Sequence, residues 1–103
     1  MSVLLEFAIF PTDKGDSVSE HVSKVIDLIR NSGFNYQLTA MGTLIETDTL
    51  PQALDIVNRS YEVLEPDSNR VYTTMNIDIQ KNKHNRLQSK VEAIESKIGS
   101  VNR

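Results

Sequence analysis

Few side chains in this sequence are of a type and spacing that could do chemistry. There is no cysteine among the 103 residues, which removes thiolate metal sites, cysteine nucleophiles and disulfides. The two histidines, His21 and His84, lack the four-residue spacing that presents two imidazoles on one helix face to a metal. Each reads as a surface or packing residue. Asp13 and Asp16, with the Thr12 hydroxyl, could hold a cation, but acidic pairs in loops are usually solvated. Gly15, Gly33, Gly42 and Gly99 stand alone, and Lys14-Gly15 lacks the flanks of a phosphate-binding loop. No nucleophile with a base beside it can be assembled. The expectation is a protein with no catalytic residue, no metal and no cofactor, a binder rather than an enzyme.

What remains is a set of hydrogen-bonding groups interleaved with apolar ones. Thr39, Thr43, Glu46, Ser19 and Asp78 are the polar candidates, and Tyr36, Phe7 and Met41 the walls. A mostly apolar lining with a few convergent polar groups is how small-ligand pockets are built. Each also has a plainer use: threonine suits strands by propensity, and Glu46 can close a strand end. Thr43 and Glu46 are three apart on one strand and so face opposite sides. They would share a pocket only across a bulge or a subunit boundary.

The elements that must position these residues follow from hydrophobic period. Val3, Leu5, Phe7 and Ile9 alternate along a first strand that ends at Pro11, with Leu4, Glu6, Ala8 and Phe10 on its other face. A loop, Pro11 to Asp16, leads to a helix capped by Ser17 or Asp16, where Glu20 completes a capping-box pattern. Val18, Val22, Val25, Ile26 and Ile29 form its stripe before Asn31-Ser32-Gly33. Two short strands, Tyr36–Met41 and Thr43–Thr47, flank Gly42. A second helix starts at Asp48 or Thr49 with Pro51 in its first turn. Its stripe is Leu50, Ala53, Leu54, Val57, Tyr61 and Leu64. A strand over 71–80 then alternates Val71, Thr73, Met75, Ile77 and Ile79 with Tyr72, Thr74, Asn76, Asp78 and Gln80. A last helix carries Leu87, Val91, Ile94 and Ile98 before Gly99.

The order β-α-β-β-α-β-α predicts one α+β domain over residues 1–103. It is a ferredoxin-like βαββαβ sandwich, a four-stranded antiparallel sheet with both crossover helices on one face, plus a C-terminal helix. The second sheet face then lacks internal cover. Leu4, Glu6, Ala8 and Phe10 on the first strand and Tyr72, Thr74, Asn76 and Asp78 on the last would line it, with only Glu6 and Asp78 charged. Self-association is the plain reading of such a face; a small ligand at the sheet edge or subunit junction is the sharper one. The last helix, with one narrow stripe, can dock on its own sheet or on a neighbour.

Charge narrows the partners. The net charge is −3, divided as −7 up to Gln80 and +4 beyond it. An acidic body argues against a phosphate-backbone face, because nucleic-acid binding depends on clustered Lys and Arg. The Lys/Arg-Gly-aromatic signature of an RNA-binding sheet is also absent. No apolar run approaches the roughly 20 residues that cross a bilayer. The expectation is a soluble, cytoplasmic chain that binds neither nucleic acid nor membrane.

The run Tyr36-Gln37-Leu38-Thr39-Ala40-Met41-Gly42-Thr43-Leu44-Ile45-Glu46, with Ser17-Val18-Ser19-Glu20 before it and Arg70 to Thr74 after it, resembles the YkoF-like thiamine-binding family of small stand-alone domains. The likeness spans roughly residues 3 to 98. Ala40 stands where that family often has proline, and Asn82-Lys83 replaces a more arginine-rich strand end. The resemblance implies a ferredoxin-like domain that self-associates to a dimer or tetramer. It also implies binding of thiamine or its hydroxymethylpyrimidine part, as carrier or sensor. In that light Thr43 would read the aminopyrimidine edge, and Glu46, or else Asp78, would meet the thiazolium or the exocyclic amine. Tyr36 or Phe7 would lie against a ring, and Ser19 and Thr39 would add hydroxyls. The acidic body favours free thiamine or hydroxymethylpyrimidine over thiamine diphosphate. A regulatory module of the amino-acid-sensing type on the same fold is the competing reading.

Overall fold

The computed structural model describes all 103 residues. The strands are β1 (Ser2–Pro11), β2 (Asn35–Leu38), β3 (Thr43–Thr47) and β4 (Val71–Gln80). The helices are α1 (Ser19–Arg30), α2 (Leu50–Leu64) and α3 (Arg86–Ile98), with a 3-10 turn over Glu65–Asp67. The sheet order is β2-β3-β1-β4 with every neighbouring pair antiparallel. This is the α+β, ferredoxin-like arrangement with an added C-terminal helix that the element order predicts.

Alternation decides the faces. Val3, Leu5, Phe7 and Ile9 are buried with Ile45, Val25, Ile29, Ala53, Ile56 and Leu64 in one core between the sheet and the α1–α2 layer. On the opposite face β1 and β4 pair Leu4 with Asp78, Glu6 with Asn76, Ala8 with Thr74, and Phe10 with Tyr72. These are the residues assigned to that face from their period. Asn76 Nδ2 donates to Glu6 Oε1 at 3.2 Å, and the Phe10 and Tyr72 rings lie 5.9 Å apart, tilted.

Three local expectations differ from the structure. The N-cap of α1 is Val18 rather than Ser17 or Asp16, with no side-chain cap, and the helix starts at Ser19. Thr49, one of the two expected starts of α2, does cap it, in a capping box with Gln52, whose Oε1 accepts from the N–H of Thr49. The buried stripe of α2 is Ala53, Ile56, Ser60 and Leu64, while Leu54 and Tyr61 point outward. Ser60 is tolerated inside because its hydroxyl donates to the Ile56 carbonyl at 2.7 Å. Finally, the second face is not wholly bare. α3 packs against β3 and β1, with Leu87 and Val91 half-buried and Ile94 and Ile98 exposed.

Candidate functional site

A cavity opens between α1 and the β2–β3 hairpin. Its inner lobe, about 330 Å³, is floored by Phe7 and Ile9, walled by Val22 and Ile26, and rimmed by Thr39, Met41 and Thr43. An outer lobe of about 700 Å³ runs along α1 and is lined by Ser19, Lys24, Asp27, Arg30 and Tyr36. The two share Val22, Ile26 and Leu38, so they form one continuous groove.

The hairpin is built to hold this shape. Thr39 Oγ1 donates to the Gly42 carbonyl at 2.7 Å and accepts from the N–H groups of Met41 and Gly42. The Thr39 hydroxyl is therefore engaged in closing the turn, a local substitute for ladder hydrogen bonds. Gly42 passes close to β1: a Cβ there would lie 3.0 Å from the Phe7 carbonyl oxygen. Any side chain there would force β1 or the hairpin to give by a few tenths of an ångström. The turn presents Met41, 89% exposed, at the rim.

Thr43 is the distinctive group. It pairs with Phe7 at the end of the β1–β3 ladder, is only 4% exposed, and its side chain lines the inner lobe without a hydrogen bond to any protein group. Its hydroxyl is not spent on a protein partner and so is open to a ligand donor or acceptor, a bond worth about 0.5–1.5 kcal/mol. Phe7, nearly fully buried, supplies an aromatic floor, and Tyr36 is half-buried at the outer lobe. The structure thus brings together Phe7, Thr39 and Thr43, and places Ser19 and Tyr36 in the adjoining lobe.

Glu46 and Asp78 lie on the other side of the sheet. Each pairs with Leu4, Glu46 from β3 and Asp78 from β4. Glu46, 9% exposed, accepts from Ser2 Oγ and from the first backbone N–H groups of α3, Arg86 at 2.8 Å and Leu87 at 3.0 Å. It is the N-terminal anion of α3. Arg86, 3% exposed, donates to Ser2 Oγ, the Ser2 and Asp78 carbonyls, and Asp78 Oδ2 at 3.0 Å. Burial alone would push the Glu46 carboxyl up. The hydrogen bonds from Ser2, Leu87 and Arg86, together with the Arg86 charge, outweigh it and hold Glu46 below the usual carboxylate range. The Arg86 hydrogen bond does the same for Asp78, helped by the charges of Arg86 and Lys90. Arg86 was invisible to sequence reasoning, which counted it into a basic tail. The signal that could have found it is that Ser2, Glu46 and Asp78 converge at one end of the second face.

The weaker candidates separate. Asp13 Oδ2 accepts from the Asn69 N–H at 2.8 Å, which ties the β1–α1 loop to the approach of β4 and lowers the carboxyl. His21 is half-buried on α1, and His84 is exposed beside a small polar hollow near Glu46 and Asp48. No three His, Cys, Asp or Glu side chains are grouped to hold a metal ion, and no helix is long and apolar enough to cross a membrane.

Comparison with known proteins places this geometry among relatives. Residues 5–95 match the family described as "Thiamine-binding protein". A UPF0045 protein of Methanothermobacter thermautotrophicus is 34% identical over 83 residues, 80% of this chain and 84% of that one. The crystal structure of a hypothetical protein from Methanocaldococcus jannaschii has a TM-score of 0.81 at 33% identity, covering 90% of this chain and 95% of that one. A candidate thiamine biosynthesis/salvage protein from Thermotoga maritima shares the fold, with a TM-score of 0.78 at 19% identity over 91% of this chain and 99% of that one.

Proposed function

The chain belongs to the thiamine-binding protein family, and on that premise we propose that it binds thiamine or its hydroxymethylpyrimidine moiety without turnover, as a homo-oligomeric carrier or sensor. The observation that carries the reading is Thr43, a largely buried residue with no side-chain hydrogen bond to protein, in the lining of an apolar cavity of about 330 Å³. A flat aminopyrimidine has the apolar faces to fill such a lobe and an edge of donors and acceptors for Thr43. Phe7 forms the floor, Thr39 fixes the rim, and Tyr36 and Ser19 meet whatever extends into the outer lobe. Glu46 and Asp78 lie across the sheet from this groove and hold α3 through Arg86.

Self-association is supported by the edge of the sheet. β4 pairs only with β1, is ten residues long, and carries one charge, Asp78, and no proline. Natural edges are normally blunted by lysine, proline or bulges. Tyr72, Met75 and Ile79 on this strand are 41–51% exposed, and a second copy would cover them in a closed dimer or a tetramer built from it.

Calorimetric titration with thiamine and with hydroxymethylpyrimidine tests the ligand. Binding that weakens about two- to tenfold in Thr43→Val is the expected result, the worth of one hydrogen bond. No heat from either compound at millimolar concentration would end the reading. A thermal shift with amino acids but not thiamine would favour the amino-acid-sensing module. Light scattering that gives the monomer mass for wild type would refute self-association, whereas Met75→Lys is expected to shift a dimer toward monomer.

A further inference from the structure

We infer that the outer lobe is a phosphate subsite, so that the protein prefers a monophosphorylated pyrimidine ligand to the free alcohol. This deepens the proposed function and rests on it.

The lobe's charge is the first observation. The chain carries −7 up to Gln80, yet the outer lobe is lined by two cations, Lys24 and Arg30, and one carboxylate, Asp27. Asp27 and Arg30 are paired with each other, Arg30 Nη2 donating to Asp27 Oδ1, which leaves Lys24 as the lobe's free charge. Lys24 makes no ion pair. A positive excess in a concave lobe of an acidic protein is a local exception to the overall charge, and local charge governs what docks there.

The second observation is continuity. Val22, Ile26 and Leu38 line both lobes, so a ligand whose ring touches Thr43 extends outward along α1. Lys24 is in the lining of that outer lobe. Ser19, whose hydroxyl lines the same lobe, adds a donor, whereas the Ser23 hydroxyl donates to the Glu20 carbonyl at 2.8 Å.

The alternative occupant is the thiazolium of free thiamine. The lobe offers it no free carboxylate, since Asp27 is held by Arg30 and Glu46 and Asp78 lie across the sheet. A compact ammonium such as Lys24, with its point charge and three donors, suits phosphate.

The test compares hydroxymethylpyrimidine with its monophosphate, and thiamine with thiamine monophosphate, by calorimetry on the full chain. The phosphorylated member of each pair is expected to bind about two- to fivefold tighter at low salt, the worth of one exposed cation contact from Lys24. That advantage should shrink at higher ionic strength. Lys24→Gln should bring the pyrimidine pair to parity by weakening the monophosphate more than the free alcohol. A phosphorylated form that binds no tighter, or an advantage that survives in Lys24→Gln, would overturn the subsite while leaving the pyrimidine reading intact. No binding of either form would overturn the reading beneath it, and the subsite with it.

Discussion

Replacing Glu46 by glutamine separates the two faces of the sheet. In the wild type, Glu46 Oε2 accepts from Ser2 Oγ and the Arg86 N–H, and Oε1 accepts from the Leu87 N–H. Glutamine keeps the volume but has one acceptor oxygen, so its amide N–H₂ must face a backbone donor of α3. One buried N–H left unsatisfied costs about 1–3 kcal/mol. Loss of the anion at the helix N-terminus adds about 0.3–1 kcal/mol. Together these come to roughly 1–4 kcal/mol, out of about 5–15 kcal/mol expected for a domain of this size. At a urea slope of about 2 kcal/mol/M, the midpoint should fall by about 0.7–2 M. Amide exchange across Arg86–Ile98 should accelerate first, because α3 is anchored through its first turn. Ligand affinity should stay within about twofold, because the cavity lies on the opposite face. A midpoint unchanged within about 0.3 M, with α3 exchange also unchanged, would refute the capping argument. A Glu46→Gln protein that lost ligand while Thr43→Val kept it would move the site to the other face.

Other outcomes follow from the same geometry. Gly42→Ala should lower stability by about 1–3 kcal/mol, because its methyl carbon meets the Phe7 carbonyl at 3.0 Å; urea denaturation reads it. Ile56→Ala should cost about 2–5 kcal/mol, whereas Leu54→Ala, at a position 46% exposed, should cost far less. Equal losses by thermal melting would contradict the helix's burial pattern. Acid should loosen α3. The Glu46 and Asp78 carboxyls are held below their unfolded values, so their contribution is complete above the normal carboxylate range and is lost as pH falls through their folded values. Stability should therefore be flat near neutrality and decline below about pH 4, with α3 exchange leading; a decline already complete by pH 6 would contradict this.

The parts of the fold legible in the sequence were those with a clean period. β4 alternates over its whole length, and the faces of β1 and β4 follow from period two, so alternate residues from Leu4 to Phe10 and from Tyr72 to Asp78 are assigned to one face by the sequence, whereas their register comes from the sheet itself. α2 was harder because small polar residues can hide. Ser60 is buried by bonding its own helix, while Leu54 and Tyr61 look like core and are not. Capping residues mislead in α1, where Ser17 and Asp16 have the right chemistry but the N-cap is the next residue, Val18. For the site, Thr43, Phe7 and Tyr36 follow from facing the helix layer. Glu46 and Asp78 have ligand-like chemistry, and only tertiary contact shows it engaged with Arg86 and α3. Arg86 could not be recognised from its neighbours, since its partners come from both ends of the sheet's chain order.

The Ser2–Glu46–Arg86 junction also has a kinetic consequence. Its bonds join positions 44 and 84 apart in the chain, and they can close only once β1 and β3 already lie side by side. Interactions of such long range are absent from an early folding nucleus, so weakening them leaves the rate of folding nearly unchanged and speeds unfolding instead. The junction acts as a latch on the finished molecule, setting how long a folded copy lasts more than how quickly one is made.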